Sequence, residues 1–213
     1  MIHDFSDNAI ISEVIARLRN KETRPPEFRE KLHKLGMFLA YEYSKDLPSI
    51  IDEIETPLAI AKYKKINCEI VVIGILRAAL PMVDGVMDIF YNAHLGVVSA
   101  ARKKMIQENG KDFEIETGYW KIPDTKDKYV VIVDPMLASG STLLTLLDNL
   151  KKEESLPVNI SVFCAIAAKY GVDRIIEKYS DVNIFAGVID KTLNSHGYIV
   201  PGLGDAGDRA FNT

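Results

Sequence analysis

The sequence predicts an α/β fold in which helices flank a mainly parallel β-sheet. Five apolar runs rich in valine and isoleucine lie between residues 69 and 190, and helical periodicity appears between several of them. Strands buried on both faces of a parallel sheet form such runs, and helices supply the crossovers. The predicted strands are EIVVIGIL (69–76), LGVVSAA (95–101), YVVIVD (129–134), NISVFCAIA (159–167) and NIFAGVID (183–190), and the predicted crossover helices are PMVDGVMDIFYNA (81–93), TLLTLLDNLKKE (142–153) and YGVDRIIEKYS (170–180).

Two amphipathic helices are predicted ahead of the sheet. The first covers residues 8–19, with Ser6 or Asp7 as its N-cap, and the second follows the break at Pro25 and Pro26 and ends near Leu47–Pro48. The inward positions are expected to be Ile10, Ile11, Val14, Ile15 and Leu18 in the first helix, and Phe28, Leu32, Leu35, Phe38 and Leu39 in the second. Partly alternating segments around Thr56–Pro57 then predict a short antiparallel pair away from the main sheet.

The polar segment KKMIQENGKDFEIETGYWKIP (103–123) interrupts the strand–helix alternation. Its alternating pattern around Asn109–Gly110 predicts an exposed hairpin that could act as a flap. No linker or repeat divides the chain, so we expect one domain. Within that domain, residues 1–66 are expected to form the N-terminal helices and a β-arm, 67–190 the core, and 191–213 a small C-terminal unit.

The composition excludes several classes of protein. Of 213 residues, 47% are hydrophobic, and 26 Lys and Arg against 30 Asp and Glu give a net charge of −4. No overall basic field therefore favours nucleic acid or an anionic membrane. The first ten residues lack signal-peptide features, and no apolar run approaches the roughly 20 residues of a membrane span. We expect a soluble cytoplasmic protein in which Cys68 and Cys164 are small buried hydrophobes rather than disulfide or metal ligands.

The stretch YVVIVDPMLASGST (129–142) predicts a binding loop for an anion. A buried strand ends at Asp134, and the residues from Ala138 to Thr142 have little side-chain bulk before the next helix begins. Backbone N–H groups of such a loop, together with its hydroxyls and the helix dipole, favour a phosphate. The stretch lacks the lysine and spacing of a Walker-type loop. A plain strand–turn–helix connection with a serine N-cap is the alternative interpretation.

Two arginines follow other predicted strands. Arg77 lies beside Ala78 and Ala79 just after residues 69–76, and Arg102 follows residues 95–101. The carboxyl ends of parallel strands share one edge of the sheet, and guanidinium groups match phosphate oxygens. Both arginines are therefore candidates for binding a polyanion. Alternatively, Arg77 is a loop-capping surface residue, and Arg102 belongs to a solvated charge run that continues through the next two lysines.

The C-terminal stretch LNSHGYIVPGLGDAGDRAFNT (193–213) contains four glycines and one proline. This composition rules out a regular helix and predicts a shaped loop whose backbone approaches a small flat ligand. A generic glycine-rich tail is the alternative. The histidines His33, His94 and His196 have no metal-ligand partners nearby in the sequence and receive no catalytic role.

These segments together resemble the uracil phosphoribosyltransferases, a branch of the type I phosphoribosyltransferases. The strand, Asp134 and the SGST loop resemble the motif that binds phosphoribosyl pyrophosphate (PRPP), and the DPM form is similar to the uracil branch. ILRAALPM resembles the pyrophosphate loop ILRAG, which commonly carries a non-proline cis peptide bond. The C-terminal stretch nearly repeats LN-x-HGYI-x-PGLGDAGDR, and FREKLHKLGMFLAYE (28–42) looks closer to the archaeal form.

Three residues depart from the pattern of the wider family. Pro135 stands where most type I members have a second acid, while Ala79 and Pro81 stand where bacterial uracil enzymes usually have glycine. The resemblance nevertheless covers nearly the whole chain. It implies a type I phosphoribosyltransferase fold with a small C-terminal hood and a projecting β-hairpin.

The resemblance also implies a reaction, in which uracil and PRPP give UMP and pyrophosphate. Arg77, Arg102, Asp134 and Asp205 would be the catalytic residues, with Mg²⁺ held mainly through PRPP and also by Asp205. PRPP would contact Arg77, Arg102, Asp134, Pro135, Met136, Leu137, Ala138, Ser139, Gly140, Ser141, Thr142 and Asp205. Uracil would contact Ile199, Gly204, Asp205 and Ala206. No residue stands out as a general base.

Archaeal relatives of this kind are activated by GTP, inhibited by CTP and assembled as oligomers. By resemblance, the run Glu30, Lys31, Leu32, His33 and Lys34 is a GTP contact, although a solvated helix face fits it equally well. A homo-oligomer, dimer or tetramer, is expected. Two other functions stay open: a regulator that binds RNA or senses nucleotides on the same fold, and a phosphoribosyltransferase for another base.

Overall fold

A mainly parallel eight-stranded sheet lies at the centre of the structure, a computed structural model that describes residues 1–105, 113–152 and 156–213. The strands are β1 (Ile2–Asp4), β2 (Ser49–Glu55), β3 (Ile60–Ile66), β4 (Ile70–Leu76), β5 (His94–Met105), β6 (Phe113–Lys121), β7 (Tyr129–Val133), β8 (Met136–Leu137), β9 (Asn159–Ala168), β10 (Asn183–Asp190), β11 (Thr192–Leu193) and β12 (Ile199–Val200). The helices are α1 (Ala9–Arg19), α2 (Pro25–Ser44), α3 (Leu80–Ile89), α4 (Ser141–Leu150), α5 (Lys169–Lys178) and α6 (Ala206–Phe211).

The strand order confirms the α/β prediction. The sheet runs β1-β10-β9-β7-β4-β5-β6, and β8 adds to β9 beside this path. Along this order, each pair of neighbouring strands is parallel except β5 and β6, which are antiparallel. All five predicted core strands are present. The parallel arrangement brings the carboxyl ends of β4, β5 and β7 to one edge of the sheet.

Helices cover both faces of the sheet. Alternate residues of each strand point to opposite faces, so both faces carry apolar side chains that the helices bury. On β7, Val131 and Val133 belong to the core cluster that contains the buried residues of α1, α2 and α3. Val130 and Ile132 belong to the second cluster, which contains those of α4 and α5. Two-sided burial explains why the strand sequences are continuously apolar.

The N-terminal helices form as predicted, with small differences at their ends. Asn8, rather than Ser6 or Asp7, caps α1, because its side chain accepts hydrogen bonds from the N–H groups of the second and third helical residues. Ile10 is 63% exposed, since it lies about 100° around the helix from the buried Ile11. Phe38 is only partly buried, and α2 ends at Ser44 rather than near Leu47–Pro48.

One prediction about an irregular segment needs correction. The C-terminal stretch does contain a helix, α6, because Asp205 caps it by accepting a hydrogen bond from the N–H of Asp208 at 3.0 Å. The strands on either side of the predicted hairpin turn are present as the antiparallel pair β5 and β6, with β6 at one edge of the main sheet. The turn at Asn109–Gly110 lies outside the described residues.

The short antiparallel pair predicted around Thr56–Pro57 is present as β2 and β3, which we call the arm (residues 49–66). The arm does not join the main sheet, and several of its large apolar side chains are exposed. Among them are Ile51, Leu58 and Ile60. Cys164 is buried and Cys68 is half-buried, and burial raises the pKa of both thiols. No helix in the described parts of the chain has the length and apolar character needed to cross a membrane.

Helices α2 and α3 touch through their backbones at two glycines. A Cβ atom added at Gly36 would lie 2.2 Å from the carbonyl oxygen of Met82, and one added at Gly85 would lie 1.9 Å from that of His33. Real Cβ atoms do not come so close to backbone oxygens, so only glycine allows this helix–helix distance. The contact fixes α3, which begins at the Arg77 loop.

We expect Gly85→Ala to lower the free energy of unfolding by about 2 kcal/mol, because the added methyl group pushes α3 away from α2. Helix propensity alone predicts a gain of about 1 kcal/mol for the same change. The sign of the change in the free energy of unfolding, measured by urea denaturation, therefore shows whether the packing effect or the helix-propensity effect is larger. Asp84→Ala, at the exposed neighbouring position, is the control and should change stability by less than about 0.5 kcal/mol. A stabilised Gly85→Ala protein would contradict the close packing.

Candidate active site

A cavity of about 470 Å³ opens at the carboxyl edge of the sheet. Strand exits and the C-terminal hood, residues 191–213, meet around it. Ligands of open parallel sheets bind at this edge, where loops and helix N-termini converge. The residues that border the cavity are Leu76, Arg77, Ala78, Ala100, Met136, Ala138, Gly197, Tyr198, Ile199, Asp205, Gly207 and Asp208.

Arg77 joins the end of β4 to the hood. The peptide bond between Leu76 and Arg77 is cis, as the resemblance implied. The guanidinium donates a hydrogen bond to Thr213 Oγ1 at 3.1 Å, lies 3.9 Å from an Asp208 carboxylate oxygen and sits 5.9 Å from the ring centre of Phe211. The side chain is 57% exposed, so its charge also faces the open cavity. A cation in this position favours a polyanionic ligand.

The loop after β7, residues 134–142, has the form expected of an anion cradle. Gly140 adopts a left-handed conformation with φ +78° and caps α4, so its lack of a side chain is required. The hydroxyls of Ser139 and Ser141 lie 3.0 Å apart, and Thr142 is half-buried at the start of α4. A helix N-terminus, hydroxyls and closely spaced backbone N–H groups thus lie together beside the cavity. We call residues 138–142 the cradle.

Asp134 and Pro135 connect the end of β7 to the cradle. The Asp134 carboxylate accepts a hydrogen bond from the N–H of Met136 at 3.2 Å. The Pro135 carbonyl accepts the N–H groups of Ala165 and Ile166, both at 3.0 Å. Pro135 therefore continues the pairing with β9 through its carbonyl, which a proline does without needing an N–H. Asp134, which is half-buried, and the buried Leu137 border a smaller depression lined by the cradle.

Several arginines tie the hood to the rest of the protein, among them Arg19, Arg29 and Arg209. Arg19, at the end of α1, makes a bidentate ion pair with Asp190 at 2.6 and 2.9 Å and also donates to the Gly202 carbonyl at 2.9 Å. The N–H of Gly202 in turn donates to Asp190 at 3.0 Å. Arg209 donates to the carbonyls of Leu18, Asn20 and Leu203, and its guanidinium lies 4.5 Å from the ring centre of Phe28. Burial lowers the pKa of Arg209.

Only some of the residues predicted to contact uracil border the cavity. Ile199 and Asp205 border the cavity, and Asp205 also caps α6. Gly204 lies next to Asp205 with φ +82° but does not border the cavity, and Ala206 is fully buried. Two of the four residues therefore face the space in which a base would lie.

Arg102 lies on β5, where its backbone is paired with Ile115 of β6. Its side chain lies outside the described part of the structure. Of the two arginines predicted to bind the polyanion, the contacts of Arg77 are therefore the ones described. Asp208, Tyr198 and Thr213 contribute to the site and were missed by sequence reasoning. Asp208 and Tyr198 fall within the C-terminal signature, and the signature itself was the signal that pointed to them.

Three of the four histidines, the ones considered above, make ordinary polar contacts. His33 Nε2 lies 2.9 Å from Asp88, His94 Nε2 lies 3.7 Å from Glu69, and His196 Nδ1 lies 3.3 Å from the hydroxyl of Ser195. Among the described residues, no group of three or more His, Cys, Asp or Glu side chains is arranged to hold a metal ion.

A family model described as uracil phosphoribosyltransferase matches residues 5–213. The chain belongs to the uracil phosphoribosyltransferase family. It is 42% identical to the uracil phosphoribosyltransferase of the archaeal species Thermococcus sibiricus, over 99% of this chain and 89% of that protein. It is 40% identical to that of Lactococcus lactis subsp. cremoris, over 97% of this chain and 96% of that protein. The family predicted from the sequence is confirmed.

Solved structures support the same fold. The AQ2163 protein of Aquifex aeolicus is 36% identical to this family member and superposes with a TM-score of 0.89, over 99% of this chain and 98% of that one. A hypoxanthine-guanine phosphoribosyltransferase from Bacillus anthracis is 15% identical and has a TM-score of 0.51, over 76% and 80% of the two chains. The second likeness shows the fold alone, which is the predicted type I phosphoribosyltransferase fold.

We expect Asp190→Asn to weaken the attachment of the hood. The change removes the charge from a buried bidentate pair, and Arg19 is then left with an uncompensated charge that is partly shielded by solvent. The free energy of unfolding should fall by about 2 kcal/mol in chemical denaturation. Asp181→Asn removes an exposed ion pair with Lys151 and should cost less than about 1 kcal/mol. Equal losses in the two variants would contradict this account of the hood.

Proposed function

We propose that the protein transfers the phosphoribosyl group of PRPP to N1 of uracil, giving UMP and pyrophosphate. The observation that carries this proposal is the convergence on one cavity of Arg77, the edge of the cradle at Ala138, and the hood residues Ile199 and Asp205. A cation, an anion cradle and an apolar surface with a carboxylate match the pyrophosphate, the 5′-phosphate and the base. Membership of the uracil phosphoribosyltransferase family supports the same reaction.

We assign the PRPP contacts by the chemistry of each group. The cradle and the residues that lead to it bind the 5′-phosphate, because N–H groups and hydroxyls there complement a dianion. Asp134 accepts hydrogen bonds from the ribose hydroxyls. Arg77 binds the pyrophosphate, and Arg102 adds a second positive charge. Pro135, Met136, Leu137, Ala138, Ser139, Gly140, Ser141 and Thr142 form the wall against the 5′-phosphoribosyl group.

The uracil ring is proposed to lie against Ile199 and the turn from Gly204 to Ala206. Ile199 presents an apolar side chain to the cavity, and the glycine at 204 lets main-chain groups of the turn approach a ring closely. Main-chain donors and acceptors then match the polar edge of the base. The size and polarity of this turn would set the preference for a pyrimidine.

The chemistry follows from the charge that develops on C1′ and on the leaving pyrophosphate as the C1′–O bond of PRPP breaks. Uracil N1 forms a bond to C1′ as the C1′–O bond breaks, and pyrophosphate leaves with the bonding electron pair. Arg77 stabilises the charge on the leaving group, and Asp134 holds the ribose so that C1′ faces the base. The proton of uracil N1 passes to water, and no side chain is assigned as a general base.

The acidic groups at the cavity fit a magnesium ion carried by PRPP. Asp205 and Asp208 both border the cavity, and Mg²⁺ prefers one or two carboxylates together with phosphate oxygens and water. A bound Mg²⁺ would neutralise part of the pyrophosphate charge. Asp205 is proposed as the main protein ligand, because Asp208 already lies beside the Arg77 guanidinium.

We propose that GTP activates the enzyme and CTP inhibits it, and that GTP binds in the groove between α1 and α2. This groove of about 760 Å³ is bordered by Arg17, Lys31 and Lys34. Both lysines pair with Glu30, which lowers the pKa of that carboxyl through the Lys34 bond and the charge of Lys31. Within the run 30–34, Leu32 is buried and His33 faces Asp88 instead.

A homo-oligomer, dimer or tetramer, is part of the same proposal. The exposed apolar side chains of the arm support it, because contiguous apolar surface often marks a protein–protein contact. Light scattering of the purified protein would measure the oligomeric state.

The reaction is tested by measuring UMP formation from PRPP with uracil, cytosine, hypoxanthine or adenine in parallel. We expect a product that depends on PRPP with uracil alone. A product with another base and none with uracil would overturn the substrate assignment. Failure with all four bases, in a protein that binds RNA, would favour a regulator on this fold.

Arg77→Met should lower kcat by about 100-fold, because the leaving pyrophosphate loses a preorganised cation in the transition state. Arg77→Lys should restore part of the rate, since the charge remains but the bidentate geometry is lost. Arg24→Met, at the exposed arginine in the N-cap position before α2, is the control and should leave kcat within twofold. Initial rates at saturating uracil and PRPP provide the comparison. An unchanged kcat in Arg77→Met would contradict the assigned role.

Lys34→Met should raise the GTP concentration for half-maximal activation by about fivefold, because a charge-assisted contact with phosphate is lost. Lys21→Met removes a nearby, almost fully exposed lysine and should leave this concentration unchanged. The readout is the initial rate over a GTP titration. Equal shifts in the two variants, or a wild-type enzyme that does not respond to GTP, would rule out the groove as the GTP site.

A further inference from the structure

Arg174 on α5 reaches the back of the cradle. Its Nη1 donates a hydrogen bond to the Ser139 carbonyl at 2.6 Å and lies 3.4 Å from the Ser141 hydroxyl. Its guanidinium also sits 5.5 Å from the ring centre of Tyr170 on the preceding turn of the helix. The side chain is partly buried at these contacts. Arg174, which lies on α5, thus contacts the cradle at two positions, Ser139 and Ser141.

The hydrogen bond to Ser139 sets the direction of the next N–H group. In a trans peptide the C=O and the following N–H point in opposite directions. The only cis peptide bonds in residues 1–105, 113–152 and 156–213 precede Arg77 and Pro201, so the Ser139–Gly140 peptide is trans. When the Ser139 carbonyl points at Arg174, the N–H of Gly140 points away from it. Arg174 therefore orients one of the backbone donors of the cradle.

The contact between Arg174 and Ser141 orients the hydroxyl of Ser141. A guanidinium only donates, so Ser141 Oγ is the acceptor towards Arg174 and its own hydrogen points elsewhere. Ser139 Oγ lies 3.0 Å from Ser141 Oγ, which couples the two hydroxyls. Arg174 thereby biases the serine pair towards donating, the role that a phosphate oxygen requires.

The backbone of α5 is held against the cradle at Gly171, one turn before Arg174. A Cβ atom added at Gly171 would lie 2.2 Å from the Ala138 carbonyl oxygen. Residues three apart lie on the same side of a helix, so Gly171 and Arg174 face the cradle together. The close backbone contact fixes the distance from which Arg174 reaches the loop.

We propose that Arg174 is a positioning residue for the phosphate end of PRPP, acting through the cradle and not through the pyrophosphate. The inference rests on the proposed function, because it takes the cradle to bind the 5′-phosphate. The guanidinium orders the Ser139–Gly140 peptide and the hydroxyl of Ser141, and its charge adds to the field that attracts the dianion. Arg77 belongs to the other end of the substrate, so the two arginines should affect different ligands.

The test compares two half-substrates by calorimetric titration. Ribose 5-phosphate probes the cradle, and inorganic pyrophosphate probes the Arg77 loop. Arg174→Met should raise the Kd for ribose 5-phosphate roughly tenfold and change the Kd for pyrophosphate less than twofold. The KM for PRPP should rise by a similar factor while the KM for uracil stays constant. Arg174→Lys should fall between Arg174→Met and the wild type, because it keeps the charge and loses the fork.

Lys169→Met is the matched control, since Lys169 is a basic residue on the same helix that pairs with Asp173 and is 67% exposed. It should leave both Kd values unchanged. Thermal unfolding of each variant checks that it is folded. Equal losses of both ligands in Arg174→Met, an equal effect of Lys169→Met, or no binding of ribose 5-phosphate to the wild type would overturn the proposal. An Arg174-dependent phosphate site in a protein that forms no UMP would support it and refute the proposed function.

Discussion

Hydrogen bonds of two arginines, Arg19 on α1 and Arg209 on α6, connect the C-terminal hood to the end of α1 and help to determine where the hood lies. Arg19 pairs with Asp190 and donates to the Gly202 carbonyl, and Arg209 donates to the carbonyls of Leu18 and Asn20 at the C-terminus of α1. Those carbonyls have no partner within the helix, so an external donor satisfies them. The hood also packs apolar side chains into the core, among them Ile199, Leu203, Ala206 and Ala210. Its position therefore depends both on this packing and on the polar contacts with the first helix of the chain.

This attachment explains how residues distant in sequence form one site. The parallel sheet brings the exits of β4 and β7 together, and the hood closes over the same edge because α1 lies beside β10. Arg77 then meets the hood at Thr213, the last residue. Backbone contacts at glycine hold the surrounding helices at short range, at Gly85 against α2 and at Gly171 against the cradle. Close backbone contacts therefore hold the cradle, and the hood borders the cavity with the apolar side chain of Ile199 and the carboxylate of Asp205.

Much of the fold follows from local pattern, because two-sided burial makes core strands continuously apolar. The three-residue β1 was not predicted, since so short a strand carries no periodic signal. The helix α6 was excluded on its glycine content, whereas a capping aspartate outweighs a single internal glycine. Arg77 and Asp134 were predicted as site residues because charges at strand exits are conspicuous. Arg174 was not, because only tertiary packing of α5 reveals what its side chain touches.

A crystal structure with UMP bound would test the account most directly, because one product molecule spans the cradle and the hood. We expect the phosphate within hydrogen-bond distance of the N–H groups of residues 138–142, the ribose hydroxyls at Asp134 and the uracil ring against Ile199. A phosphate bound at Arg77 with the cradle empty, or a base outside the hood, would contradict the central claim that these segments form one active site.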